Sequence, residues 1–268
     1  MKLIIAALQM ISTRDVIENL NKASKMIAEA AGNGAQVVVL PEFFAKITTS
    51  DDPYRTNHAE DFGSGVIQSY LKDIAVLHGI HIIAGSVLLN SSTANKFYNS
   101  CLVVSPDGAI IAHYDKIHLF KFNDGFQHYD ESEILLAGDK IVSCDILGFN
   151  FGLAICYDLR FPELFRTLGL VDIIVLPSAF TYQTGLAHWE LLIRARAVEN
   201  QCYFLGVNQG GAHDTGRRTY GHSMLVDPWG EVIVSALEGE KIIYATIDSD
   251  KIRDIRTKLP AFEHRRIN

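Results

Sequence analysis

No apolar run in this 268-residue sequence approaches the roughly 20 residues that cross a bilayer as a helix, so no membrane span is expected. The residues after Met1 soon meet Gln9 and carry no cleavage-like segment, which gives no sign of a secretory leader. Positive charge is short as well. Lys and Arg number 24 against 31 Asp and Glu, and a formal net charge of -7 with no basic stripe argues against nucleic acid as a partner. Cysteine is sparse: Cys101, Cys144, Cys156 and Cys202 are widely spaced in apolar contexts and form no Cys-x-x-Cys pair. That is the pattern of reduced thiols, and it places the protein in the cytoplasm. A Gly-x-Ser-x-Gly elbow, a Gly-x-Gly-x-x-Gly fingerprint and a Walker loop are all missing. His78 and His81 straddle Gly79 at a helix-to-strand boundary, so neither a metal site nor an organic cofactor is expected.

What is present is apolar residue, at 48% enough for a large core, with no low-complexity linker and no fixed-period repeat. Residues 1–268 are therefore expected to form one α/β domain. Strand and helix alternate. Strands are predicted at 2–9, 36–42 and 81–89, and around a Ser105-Pro-Asp-Gly108 turn as a hairpin of 97–104 with 109–119. Further strands follow at 151–156, 172–178, 202–207, 223–226, 232–236 and 241–247. Helices are predicted at 16–31, 66–78, about 162–170, 185–200 and 250–259. In the helix at 185–200 the apolar side is expected to be Leu191, Leu192, Ala195 and Val198. Residues 121–138 show no period and are read as a surface lid beside the strand ends.

Open α/β sheets place ligand crevices at the carboxyl ends of their strands, and chemistry-bearing residues stand at those ends here. Glu42 follows Pro41, which a sheet tolerates only at a strand's end. Lys116 closes the second arm of the hairpin, and Cys156 ends the strand in Phe151-Gly-Leu-Ala-Ile-Cys156. Each has an ordinary explanation: a solvated loop acid, a lysine guarding a sheet edge, a small buried apolar residue. Together they supply what acyl transfer needs. Glu42 is the base and later the acid, Cys156 the nucleophile, and Lys116 the oxyanion stabiliser whose ammonium also favours the thiolate. The backbone N–H of Tyr157 is the natural second oxyanion donor.

Leu40-Pro-Glu-Phe43, Tyr114-Asp-Lys-Ile-His-Leu119 and Cys156-Tyr-Asp-Leu-Arg-Phe-Pro-Glu-Leu164 resemble, in order, the three catalytic motifs of the nitrilase or carbon-nitrogen hydrolase superfamily. The resemblance covers nearly the full chain. It implies an α/β fold, a four-layer α-β-β-α sandwich commonly dimerised through helices, so a homodimer is expected. It also assigns Glu42, Lys116 and Cys156 their catalytic roles and gives Glu131, in Asp130-Glu-Ser132, the role of an auxiliary glutamate that orients the lysine.

Within that superfamily, His188-Trp-Glu190, Tyr220-Gly-His-Ser-Met224 and Val226-Asp-Pro-Trp-Gly230 look most like the deaminated glutathione amidases. Those enzymes cleave an α-keto-acid amide to 2-oxoglutarate and cysteinylglycine. Omega-amidases acting on 2-oxoglutaramate are close relatives, and residues 121–128 depart from both groups. An anionic small-molecule amide needs fixed positive charge. Arg160, near the nucleophile, is a first candidate, with an ion pair to Asp158 or Glu163 as the alternative. Arg217 and Arg218 are candidates for a second carboxylate. A non-catalytic binding module on the same scaffold is the competing class, and the presence of all three catalytic residue types weighs against it.

Overall fold

In the first strand, β1 (Lys2–Gln9), alternate side chains part to opposite sides: Leu3, Ile5 and Ala7 join one apolar cluster, Ala6 and Leu8 another. That division recurs along the neighbouring strands and fixes the layers. The structure is a computed structural model that describes residues 1–123, 125 and 128–267. The chain continues through α1 (Val16–Gly32), β2 (Val37–Val39), α2 (Val66–His78), β3 (His81–Asn90), β4 (Phe97–Val104) and β5 (Ile110–Asp115). After the short hairpin β6 (Lys121–Asn123) and β7 (His128–Asp130) come β8 (Ser143–Ile146), β9 (Phe149–Leu153) and α3 (Pro162–Leu168). The remainder is β10 (Ile173–Ser178), α4 (Tyr182–Asn200), β11 (Tyr203–Asn208), β12 (Met224–Val226), β13 (Val232–Ser235), β14 (Lys241–Asp248) and α5 (Ser249–Lys258).

Two six-stranded sheets result, in the orders β14-β1-β2-β3-β4-β5 and β13-β12-β11-β10-β9-β8. In each, a parallel trio occupies the middle: β1, β2 and β3 in one, β9, β10 and β11 in the other. One face of the first sheet packs on the second sheet through Ile5, Val39, Ile83 and Val103 against Phe151, Val175 and Leu205. Its other face is covered by α1 and α2 through Leu20, Ile27, Leu71 and Ala75. The outer face of the second sheet carries α3 and α4, with Phe165, Trp189 and Ile193 in the same cluster as its strands. The layer order is α-β-β-α, as the motif resemblance implied. Among the described residues no helix is long and apolar enough to cross a membrane.

Helix α1 starts where Asp15 accepts a hydrogen bond from the Glu18 N–H, and α2 ends where Gly79 turns left-handed. Both were expected from the sequence within two residues. The buried face of α4 was not. It consists of Gly185, Trp189, Ile193, Arg196, Ala197 and Asn200, while Leu191 is 67% exposed and Val198 48%. Apolar residues lie all round this helix, so periodicity cannot choose its face, and Trp189 and Ile193 fill the space over Gly206, where a Cβ would collide with both. Strand β8 and the hairpin β6–β7 also appear where no strand was predicted. Within the expected lid at 121–138, residues 124, 126 and 127 lie outside the described residues.

Candidate active site

Strands end earlier than the sequence suggested, and the three chemistry-bearing residues stand in the turns beyond them. Glu42 lies three residues past β2, Lys116 immediately past β5, and Cys156 three residues past β9, at the start of a short 3-10 turn that runs to Arg160. Cys156 has φ of 48° and Phe43 has φ of 58°, left-handed values that non-glycine residues adopt only when the surroundings hold them.

The restraints are visible. Asp158, fully buried, accepts the Ile155 N–H at 2.9 Å, the Tyr114 hydroxyl at 2.6 Å and the His118 N–H at 3.0 Å, with His118 Nδ1 at 2.7 Å. The residues flanking Lys116 thereby clamp the turn that carries Cys156. On the other side, Phe43 N–H donates to Ser86 Oγ at 2.9 Å. Gly85, beside a register shift in β3, lies so close to Leu40 and Pro41 that a Cβ would stand 2.1 Å from the Leu40 carbonyl. Only glycine permits that approach.

Glu42 is 1% exposed and saturated with donors. Its Oε1 accepts from Lys116 Nζ and from Asn99 Nδ2, both at 2.9 Å, and its Oε2 accepts from the Ala179 N–H at 2.8 Å. Lys116 Nζ also reaches Glu131 Oε1 at 3.0 Å, and Glu131 Oε2 in turn accepts the Phe120 N–H at 2.7 Å. Burial by itself depresses an ammonium, but the Glu131 and Glu42 carboxylates outweigh it and hold Lys116 well above the ordinary lysine range. Burial raises the Glu131 carboxyl, with Lys116 opposing it.

Cys156 is buried beside these carboxylates. Burial, reinforced by the Glu42 charge, pushes its thiol well above the ordinary value, and Lys116 pulls the other way without reversing the shift. The direction favours the protonated thiol, so for Cys156 to act as a nucleophile a base has to take its proton, the part the sequence reading gave to Glu42.

A cleft of about 360 Å3 opens onto Cys156 between Phe43, Phe120, Tyr157, Phe180 and the guanidinium groups of Arg160 and Arg217. Arg160 pairs with neither Asp158 nor Glu163 among the described residues. Its Nη2 lies 3.3 Å from His188 Nδ1, and its guanidinium sits 5.9 Å from the Tyr157 ring centre and 5.7 Å from that of Phe180. Arg217 donates to the Thr48 carbonyl at 2.9 Å and reaches the cleft wall. Arg218 does not. It is held by Glu238 through two hydrogen bonds of 3.1 and 2.9 Å and stacked 3.8 Å over Tyr182 on the outer rim. Among the described residues no cluster of three or more His, Cys, Asp or Glu is arranged to hold a metal ion.

The sequence profile of carbon-nitrogen hydrolases matches residues 4–257. The chain belongs to the carbon-nitrogen hydrolase family. A deaminated glutathione amidase from Synechocystis sp. is 38% identical over 268 residues, covering 97% of each chain. An omega-amidase NIT2-B from Xenopus laevis is 40% identical over 257 residues, covering 94% of this chain and 90% of the relative. In three dimensions the fold superposes on Saccharomyces cerevisiae Nit3, of branch 10 of the nitrilase superfamily, with a TM-score of 0.90 and 32% identity over 99% of this chain and 97% of that one. Set beside this family membership, Asn99, Ala179 and Gly85 are parts of the site that sequence reasoning missed. The first two lie inside or just after strands and reveal their role only through contact with Glu42.

Proposed function

We propose that the protein is a cysteine amidase that hydrolyses small anionic keto-acid amides, with deaminated glutathione as its preferred substrate. The observation that carries this reading is that Glu42 and Cys156 line one cleft, with Glu42 held by three donors of which one is the buried Lys116 ammonium. The relatives named for deaminated glutathione and for omega-amide hydrolysis support the substrate class.

In the proposed cycle the thiol proton passes to Glu42 as the sulfur attacks the amide carbonyl. The oxyanion that forms is met by the Lys116 ammonium and the Tyr157 backbone N–H. Glu42 returns the proton to the amide nitrogen as the C–N bond breaks, which releases the amine and leaves a thioester on Cys156. Glu42 then takes a proton from water, the hydroxide attacks the thioester, the C–S bond breaks, and the proton returns to the sulfur. The sum is amide plus water to acid plus amine, and the cycle requires no cofactor. Glu131 is the second carboxylate that holds Lys116, and Arg160 receives the keto-acid carboxylate.

Hydrolysis of 2-oxoglutaramate is the second reading, favoured by the 40% identity to an omega-amidase. A cytoplasmic homodimer completes the proposal, with Leu186, Leu191 and Val198 on the open face of α4 as its apolar contact. Steady-state assays of the parent and of Cys156→Ala on both amides test the function. Turnover by the parent, its loss in the variant and a faster reaction on deaminated glutathione are expected. A variant as active as the parent overturns the mechanism, and a parent faster on 2-oxoglutaramate overturns the substrate assignment.

A further inference from the structure

Beside the cleft lies a wider, partly open chamber that shares Phe43, Phe120, Glu131 and Arg217 with it as a common wall. Its far side carries Lys46, Arg55 and His58. Lys46 is only 7% exposed. Its ammonium donates to the Tyr54 carbonyl at 2.9 Å and to Asn57 Oδ1 at 2.7 Å, and among the described residues it meets no carboxylate. Arg217 is likewise without a carboxylate partner among the described residues, and Arg55 has one only at 3.6 Å, in Glu133. The acids of the wall are already engaged, Glu131 by Lys116 and Asp130 by Lys121. A buried cation without a counter-charge is costly, and such sites are completed by an anion that arrives.

His58 gives an independent sign. Burial, followed by the Lys46 charge, lowers its imidazole to about 4, so the ring is neutral near pH 7, and its buried Nδ1 has no hydrogen-bond partner among the described residues. An orphaned ring nitrogen beside an uncompensated ammonium is a polar site waiting for a ligand. Direction follows from the chemistry of the cleft. The shared wall contains Phe43, the residue next to Glu42, and Glu42 is the group that in the proposed cycle returns a proton to the departing nitrogen. The chamber therefore adjoins the leaving-group side, whereas Arg160 lines the cleft alone.

We propose that this chamber is an anion subsite that binds the terminal carboxylate of a peptidic leaving group through Lys46, Arg217 and Arg55, with the His58 imidazole as a neutral hydrogen-bonding partner. The inference rests on the keto-acid amidase reading and deepens it. An enzyme with this chamber prefers a dipeptide leaving group to ammonia because a second charge on the substrate finds a second set of cations.

The test compares deaminated glutathione with its C-terminal carboxamide, which differs only in the distal charge. The parent is expected to favour the free carboxylate by about tenfold or more in kcat/KM, the scale of a hydrogen bond to a charged group. In Lys46→Met that ratio should fall towards one, whereas a purely structural effect lowers both substrates equally and overturns the subsite. A second measurement needs no variant: calorimetric binding of cysteinylglycine and of its carboxamide to the parent. Tighter binding of the free carboxylate supports the subsite, and equal binding overturns it. The two hypotheses separate cleanly. Dipeptide binding with no turnover of either amide overturns the amidase reading alone, and turnover without carboxylate preference overturns the subsite alone.

Discussion

Asn99 and Lys116 donate to the same oxygen of Glu42, each at 2.9 Å, and so fix the carboxylate from two directions while its other oxygen is held by the Ala179 N–H. The neutral donor matters because Lys116 has a second partner in Glu131, whereas Asn99 is placed in β4 with its amide directed at Glu42 and its own Oδ1 has no hydrogen-bond partner among the described residues. Removing it as Asn99→Ala leaves Glu42 held by Lys116 and the Ala179 N–H alone, with one fewer restraint on the oxygen that faces the lysine. A fall in kcat of about tenfold to a hundredfold is expected, the equivalent of one hydrogen bond to a charged group. KM should change little, and steady-state kinetics of a variant with normal far-UV circular dichroism check it.

Lys116→Arg keeps the charge and should still be nearly inactive. The ammonium reaches Glu42 and Glu131 from a fully buried position, and a planar fork has neither the space nor the geometry to meet both and still face a carbonyl oxygen. A loss of kcat of at least about a hundredfold is expected. Kinetics like those of the parent would show that Lys116 serves the fold and not the oxyanion.

Alkylation of Cys156 should rise with pH without levelling off near the ordinary thiol value of about 8.5. The sign follows from the raised thiol: a higher pKa means less thiolate at any given pH, so the inactivation rate by iodoacetamide keeps climbing tenfold per unit through pH 9. A plateau at or below pH 8 would mean that Lys116 dominates after all. Cys144 and Cys202 are likewise pushed up, to about 11 and about 12, by burial, so selective alkylation of Cys156 has to come from its place on the cleft beside Glu42 rather than from a lower pKa, and peptide mapping of the alkylated protein checks it.

Gly85→Ala should impair both fold and activity although it touches no substrate. The added methyl meets the Leu40 and Pro41 carbonyls at 2.1 and 2.2 Å, and the backbone that has to move is the segment leading into Glu42. Overpacking of this kind costs about 1–3 kcal/mol, read as a lowered midpoint in urea together with a reduced kcat. A variant of unchanged stability would show that β3 can shift without strain.

Arg160→Lys should raise KM for keto-acid amides by about tenfold while kcat changes less, because a lysine cannot engage a carboxylate through two parallel donors. Its stacking between Tyr157 and Phe180 would be lost at the same time. The KM-against-kcat split, measured on both candidate substrates, distinguishes a substrate contact from a general loosening of the cleft.

Periodic, capped elements such as α1 and α2 were legible because their apolar residues repeat on one face and a cap closes each end. Glu42, Lys116 and Cys156 were legible because proline, turn and strand signals placed them at strand ends, and the motif resemblance joined them. Long-range contact was not legible. Nothing local marks Asn99 as a partner of Glu42, 57 residues away, or Ala179 at 137. The face of α4 was misread because its exposed leucines and its buried Trp189 are equally apolar. Arg217 and Arg218 read alike as neighbours, yet one faces the cleft and the other is bound to Glu238.

Peroxides attack thiolates, so a nucleophile kept as a buried thiol, 8% exposed, is spared the ladder to sulfenic and sulfinic acid while the enzyme stands idle. In the proposed cycle the sulfur is covered while it carries the thioester and is open to oxidants in the intervals when Glu42 holds its proton. On that proposal oxidative loss of Cys156 should track the number of turnovers rather than the time spent in an oxidising medium.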